Sequence, residues 1–96
     1  MEPMSGKTAV TTAGTAVALG SGVVNGALMV KADPENTGFM YVGNDGNGDV
    51  SSANGMNLDA SEMIVFEFVG NLADIFIDSS VNGETVEWIR LSGKVQ

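Results

Sequence analysis

The sequence predicts an all-β domain, a compact antiparallel β-sandwich or jelly-roll-like barrel of about seven or eight short strands. Three observations carry this expectation. Thirteen glycines against two prolines punctuate the chain. Four Asn-Gly pairs, Asn25-Gly26, Asn47-Gly48, Asn54-Gly55 and Asn82-Gly83, supply the residues that type I′ hairpin turns favour. Between these signals lie runs rich in Val, Ile, Thr and aromatic residues, too short and too β-branched for stable helices.

The strands follow in order. Residues 7–12 and 15–19 form a Thr/Val/Ala pair divided by Ala13-Gly14. Residues 28–32 follow the first Asn-Gly turn and stop at the turn dipeptide Asp33-Pro34. Residues 38–42 come next, then a break at Gly43, a polar loop over 44–49, and a short run at 57–58. Residues 63–69 are the strongest run: Ile64, Phe66 and Phe68 share one face, and Met63, Val65, Glu67 and Val69 the other. Residues 74–78 and 85–91 complete the set. In the last, Val86, Trp88 and Arg90 oppose Thr85, Glu87, Ile89 and Leu91. Asp59 and Glu62 have the spacing of a capping box for a single helical turn, although a plain loop into the next strand accounts for the same residues. Residues 1–6, with Pro3 and Gly6, have little strand character and read as a flexible N-terminal arm. Residues 7–96 are then a single β domain. The Asn-Gly pairs at 25, 54 and 82 are evenly spaced, but their flanks do not match, so no repeat is expected.

Charge and composition exclude several functions. Twelve acidic side chains, four basic ones and no histidine give a formal charge of −8 and a pI near 4.1. Such a chain repels phosphate backbones and anionic membrane surfaces, so neither nucleic acid nor membrane is an expected partner. Without cysteine there is no disulfide, thiolate metal site or cysteine nucleophile. Without histidine there is no Ser-His-Asp triad. No apolar run approaches the roughly 18 residues of a membrane-spanning helix. The opening residues lack a basic stretch followed by an apolar one, so no secretory leader is expected. A hydrophobic content of 44% supports a core. At this length the core is thin, which favours partner subunits, and a homotrimer burying apolar strand faces is expected.

Few residues carry chemistry. Asp45-Gly46-Asn47-Gly48-Asp49 places oxygens at alternate positions, like the start of a calcium loop. The sixth position is Val50 where glycine is needed and the twelfth is Met56 where glutamate is needed. A hairpin tip explains the same residues, and no metal or cofactor is expected. Glu62, Glu67, Asp74, Asp78, Glu84 and Glu87 contain no pair held at glycosidase spacing, and solvated sheet faces account for them. The chain is therefore not expected to be an enzyme. Residues 43–48 do not form a phosphate-binding loop. The aromatics Phe39, Tyr41, Phe66, Phe68, Phe76 and Trp88 lie within strands. Trp88 beside Val86 and Ile89 reads as core, with an exposed interface anchor as the alternative. Tyr41 and Trp88 are the only good sugar platforms, which leaves a carbohydrate-binding module as a distant reading. The expected partner-binding residues are those of the arm and its end: Met1, Glu2, Pro3, Met4, Ser5, Gly6 and Lys7. Their backbone could add a strand to a neighbour's sheet.

Four segments together resemble a family of small β-structured phage virion proteins. They are an opening VTTAGTAVxL strand pair ending at Leu19, NTGxxYVG at Asn36 to Gly43, LxDIFID at Leu72 to Asp78, and VNGExVxW at Val81 to Trp88. The resemblance spans nearly the whole chain after the arm and brings no enzymatic motif. It implies a structural role in a virion. The expected role is that of a capsid decoration, or cement, protein on the capsid surface with the major capsid protein as partner. A tail or baseplate module is the second reading.

Overall fold

The ten residues of β3 (Val23–Ala32) set the architecture. Val24, Gly26, Leu28, Val30 and Ala32 are buried, and the residues between them are not. That two-residue period is the signature of a strand with one face on a core. Beside it lies β8 (Glu84–Arg90), which buries Glu84, Val86, Trp88 and Arg90 in the same rhythm. The other strands are β1 (Ser5–Val10), β2 (Val17–Ala18), β4 (Met40–Gly43), β5 (Met56–Leu58), β6 (Met63–Asn71) and β7 (Phe76–Ser79). The computed structural model describes residues 4–91.

Two antiparallel sheets result, each of four strands. Sheet I has the order β1-β8-β3-β6 and sheet II the order β2-β7-β4-β5. They pack face to face as a small β-sandwich, the predicted fold class. Leu28, Val30, Ala32 and Val86 of sheet I, with Met40, Val42 and Ile77 of sheet II, form the middle of the core. A 3-10 turn, Leu72–Asp74, carries the chain from β6 to β7. Asn71 caps it, its side-chain oxygen accepting from Ala73 N at 2.9 Å and from Gly22 N at 3.2 Å. Thr8 Oγ1 donates to Leu19 O, tying edge strand β1 to the segment after β2.

Three expectations change. No Asn-Gly pair among the described residues has positive φ at both positions, so none is the expected type I′ turn. Asn25-Gly26 lies inside β3, where Asn25 (φ 46°) marks an irregularity: from Val23↔Asn71 to Gly26↔Val69, β3 advances one residue more than β6. A bulge absorbs the extra residue, and asparagine tolerates the left-handed backbone it needs. A second bulge breaks the expected grouping of Phe66 with Phe68. Between Gly26↔Val69 and Leu28↔Phe66, β6 advances one residue more than β3. The alternation therefore slips: Ile64 and Phe66 pack against the core, Phe68 is 68% exposed and Val69 is 5% exposed. The run expected over 74–78 begins with the 3-10 turn, and its strand is Phe76–Ser79.

Asp59 and Glu62 form one of the two capping-box hydrogen bonds, without a helix; the other is replaced by a bond to the Asp59 backbone carbonyl. Asp59 N donates to Glu62 Oε1 at 2.7 Å and Glu62 N to Asp59 O at 2.9 Å, around Ser61 at φ 70°. This is a turn into β6, the looped alternative of the two readings.

The arm boundary also moves. Ser5 and Gly6, assigned to the arm, are the first residues of β1 and pair with Ile89 and Trp88. Backbone hydrogen bonding reaches Met4, whose carbonyl accepts from Arg90 N at 2.7 Å. Trp88 is 8% exposed and belongs to the core. Its ring lies so close to β1 that a Cβ at Gly6 would fall 2.7 Å from Trp88 Cζ2. Trp88 Nε1 is buried without a hydrogen-bond partner, so packing holds the ring. Gly6→Ala is thus expected to displace the indole or β1 and to destabilise the fold by about 1–3 kcal/mol. Thermal unfolding should show a fall in Tm of roughly 4–20 °C, and an unchanged Tm would refute this packing.

Candidate functional site

The two outer faces of the sandwich are treated differently by the chain. On sheet II, residues 44–55 fold back over the strands. Asp45 N donates to Asp49 O at 2.9 Å, and Gly48 comes so near the Phe76 ring that a Cβ there would sit 3.3 Å from it. Val50 is 2% exposed yet stands outside the main core cluster. It fills a small second cluster against Gly43, Gly55 and Tyr41, where a Cβ at Gly55 would lie 2.8 Å from Val50 and 2.9 Å from Tyr41. Residues 11–15 reach the same sheet. Gly14 N donates to Asp78 Oδ1 at 2.9 Å and Ala13 N to Asn82 Oδ1 at 2.7 Å.

Nothing among the described residues covers sheet I in this way. The strand registers arrange its outer side chains in rows. One row runs Ser5, Ile89, Met29, Val65 and the next Lys7, Glu87, Lys31, Met63. Ile89 is 41% exposed, and Met63 and Val65 are 52% exposed. The charged row is partly paired: Lys7 Nζ lies 3.4 Å from Glu87 and 3.8 Å from Asp33. Lys31 forms no ion pair among the described residues. Where the rows meet, Met29, Lys31, Glu87 and Ile89, with Trp88, line an open hollow of about 280 Å³. An apolar row beside a charged one on an uncovered face suits contact with another macromolecule.

The sequence-predicted site residues are largely engaged elsewhere. Met1, Glu2 and Pro3 lie outside the described residues. Met4 is exposed, but Ser5, Gly6 and Lys7 form the start of β1, with Lys7 in the ion pairs above. The expected free arm therefore shortens, because β8 already satisfies one backbone edge from Ser5 onward. The other edge of β1 is an edge of sheet I.

The carboxylates act as clasps. Glu84, though buried, accepts from Thr37 N at 2.8 Å and Gly38 N at 2.6 Å. Asp78, also buried, accepts from Gly14 N and from Ser79 N at 2.8 Å. Each holds a loop onto the sandwich by charge-assisted bonds to backbone N–H groups. In the 44–49 loop, Asp45 Oδ1 accepts from Asn47 N and Asn44 Oδ1 from Gly46 N, both at 2.8 Å. Those oxygens stabilise local turns of the Asx kind. The rows of sheet I are the feature that sequence reading missed as a site. The alternation over 63–69 and 85–91 contained them, but only the register shows which residues of different strands stand side by side.

No family model matches this chain, and no curated protein matches it in sequence. Fold and surface together define a class: a small two-sheet β-sandwich with one face closed by its own loops and the other left uncovered by the described residues.

Two outcomes are expected. Excess chelator should leave Tm unchanged, and a fall of several degrees restored by calcium would reveal a site in the 44–49 loop. Glu84→Ala strands two backbone N–H groups and should cost about 2–4 kcal/mol in chemical denaturation; a loss below about 0.5 kcal/mol would show that the clasp is dispensable.

Proposed function

We propose that this protein is a non-enzymatic structural subunit of a phage particle, a decoration protein that binds the outer capsid surface and stabilises it. The observation that carries the reading is the bare face of sheet I, where apolar side chains stand exposed in a register-defined row. A protein whose most developed surface is a sheet face works by area of contact. Many symmetry-related copies then multiply a modest single contact into firm attachment. The segment resemblance to phage virion proteins supplies the particle, and the major capsid protein is the proposed partner there. The acidic surface suits a subunit that must keep particles apart in solution. A sugar-binding reading loses support, since Trp88 is buried and Tyr41 packs with its Cβ against Gly55 at the end of the 44–55 loop.

The test is the temperature of DNA release. Particles stripped of the protein should release DNA several degrees below complete particles, and adding the purified protein back should restore the difference. Equal release temperatures would overturn the capsid-stabilising role, and copies found by labelling only at the tail would place the protein there instead.

A further inference from the structure

The outer face of sheet I is complementary to itself. We infer that it binds a second copy of this chain about a two-fold axis that runs parallel to the strands between β8 and β3. The inference follows from the order of residues in two adjacent rows and not from the phage reading, with which it shares the face: a copy paired through sheet I must part from its partner before that face can lie on a capsid.

A two-fold axis in that position lays β8 of one copy over β3 of the other, and each row over itself in reverse. Lys31 then stands opposite the partner's Glu87, and Glu87 opposite the partner's Lys31. In the next row, Met29 meets the partner's Ile89 and Ile89 the partner's Met29. Val65 and Met63 at the β6 edge cover the partner's Ser5 and Lys7 at the β1 edge. On the two central strands opposite charge faces opposite charge and apolar faces apolar, while at the edges apolar side chains cover Ser5 and the stem of Lys7; the same patch is used on both sides, as a closed two-fold interface requires.

Charge supports a copy of this chain as the occupant. At a net charge of −8, two copies repel each other over most of their surfaces. This face carries Lys7 and Lys31, two of the four basic residues in the sequence. Lys31, half-buried at its centre, has no ion-pair partner among the described residues, and the partner's Glu87 supplies one. Area agrees. Four strands about 4.8 Å apart and roughly seven residues long present on the order of 450 Å² in projection. Two such faces give about 900 Å² in projection, just under the roughly 1,000–1,200 Å² at which specific interfaces begin, which suits a weak dimer. Side chains on the facing surfaces of packed sheets interdigitate instead of meeting head-on. The hollow between Met29, Lys31, Glu87 and Ile89 gives the partner's side chains room to do so.

The test is sedimentation of the full-length chain at neutral pH and moderate salt. Wild type should pass from monomer to dimer across roughly 1–200 µM, the range such an area supports. Lys31→Glu alone and Glu87→Lys alone should each weaken dimerisation at least about tenfold. A mixture of the two variants should dimerise again, because one chain then carries carboxylates at both positions and the other ammonium groups at both. Far-UV circular dichroism and Tm establish that each variant is folded. Should Glu87→Lys fail to fold beside Lys7, Met29→Ser and Ile89→Ser make the test through the apolar row, each expected to abolish the dimer. A monomer at every concentration, a stable trimer, charge variants that dimerise like wild type, or a mixture that stays monomeric would each overturn the inference. Failure to bind capsids would instead count against the decoration role and leave the dimer untouched.

Discussion

The pairing of β3 with β8 is the contact on which the rest of the fold rests. Leu28, Val30, Ala32 and Val86 are completely buried, and they fix which side of sheet I faces inward. Each large aliphatic side chain removed from water there contributes about 1.5–3 kcal/mol. Once that face is chosen, the outer residues are placed by default, because side chains alternate along a strand. The apolar and charged rows of the bare face are thus the reverse side of the core's own pattern. The arrangement also joins distant parts of the chain. β8 sits between β1 and β3, so sheet I cannot be completed before its last strand arrives. Such non-local pairing places folding among the slower small domains.

Loops are held mainly by polar side chains aimed at backbone groups. Glu84 gathers Thr37 and Gly38, Asp78 gathers Gly14, and Asn71 gathers Gly22. Asn36 bonds Thr85 in both directions, its amide donating to Thr85 O at 2.9 Å and its oxygen accepting from Thr85 N at 3.1 Å. A chain without disulfides thereby gains fixed loops from single hydrogen-bonding residues, each satisfying partly buried backbone donors. Two of the carboxylates that read as solvated surface in the sequence, Asp78 and Glu84, are used in this way.

Local patterning made the fold class legible. The alternation over 85–91 placed Val86 and Trp88 together on the side that proves to be the core, and Trp88 read as core because of its apolar neighbours. What stayed hidden depends on pairing partners. The Asn25-Gly26 dipeptide has the same local chemistry in a hairpin turn as in a bulge, and only β6 across from it decides between them. Phe68 turns outward because of a mismatch in length between two strands, which no window on one strand contains. The arm was drawn too long because Gly6 looks like a breaker until the ring of Trp88, more than eighty residues away in the chain, explains why a side chain has no room there. The candidate surface was equally hidden, since its rows cross four strands that are scattered through the sequence.

The placement of Trp88 has an optical consequence. The chain has one tryptophan and one tyrosine, and the sandwich puts one in each sheet. Trp88 lies at the seam of the first and last strands, and its emission reports whether β1 is seated. Tyr41 stands on the opposite outer face with its Cβ against Gly55 at the end of the 44–55 loop, and its absorbance reports the surroundings of that packing. The molecule therefore carries two native chromophores that view separate structural events without any label, one where the first and last strands meet and one beside the loop on the other sheet.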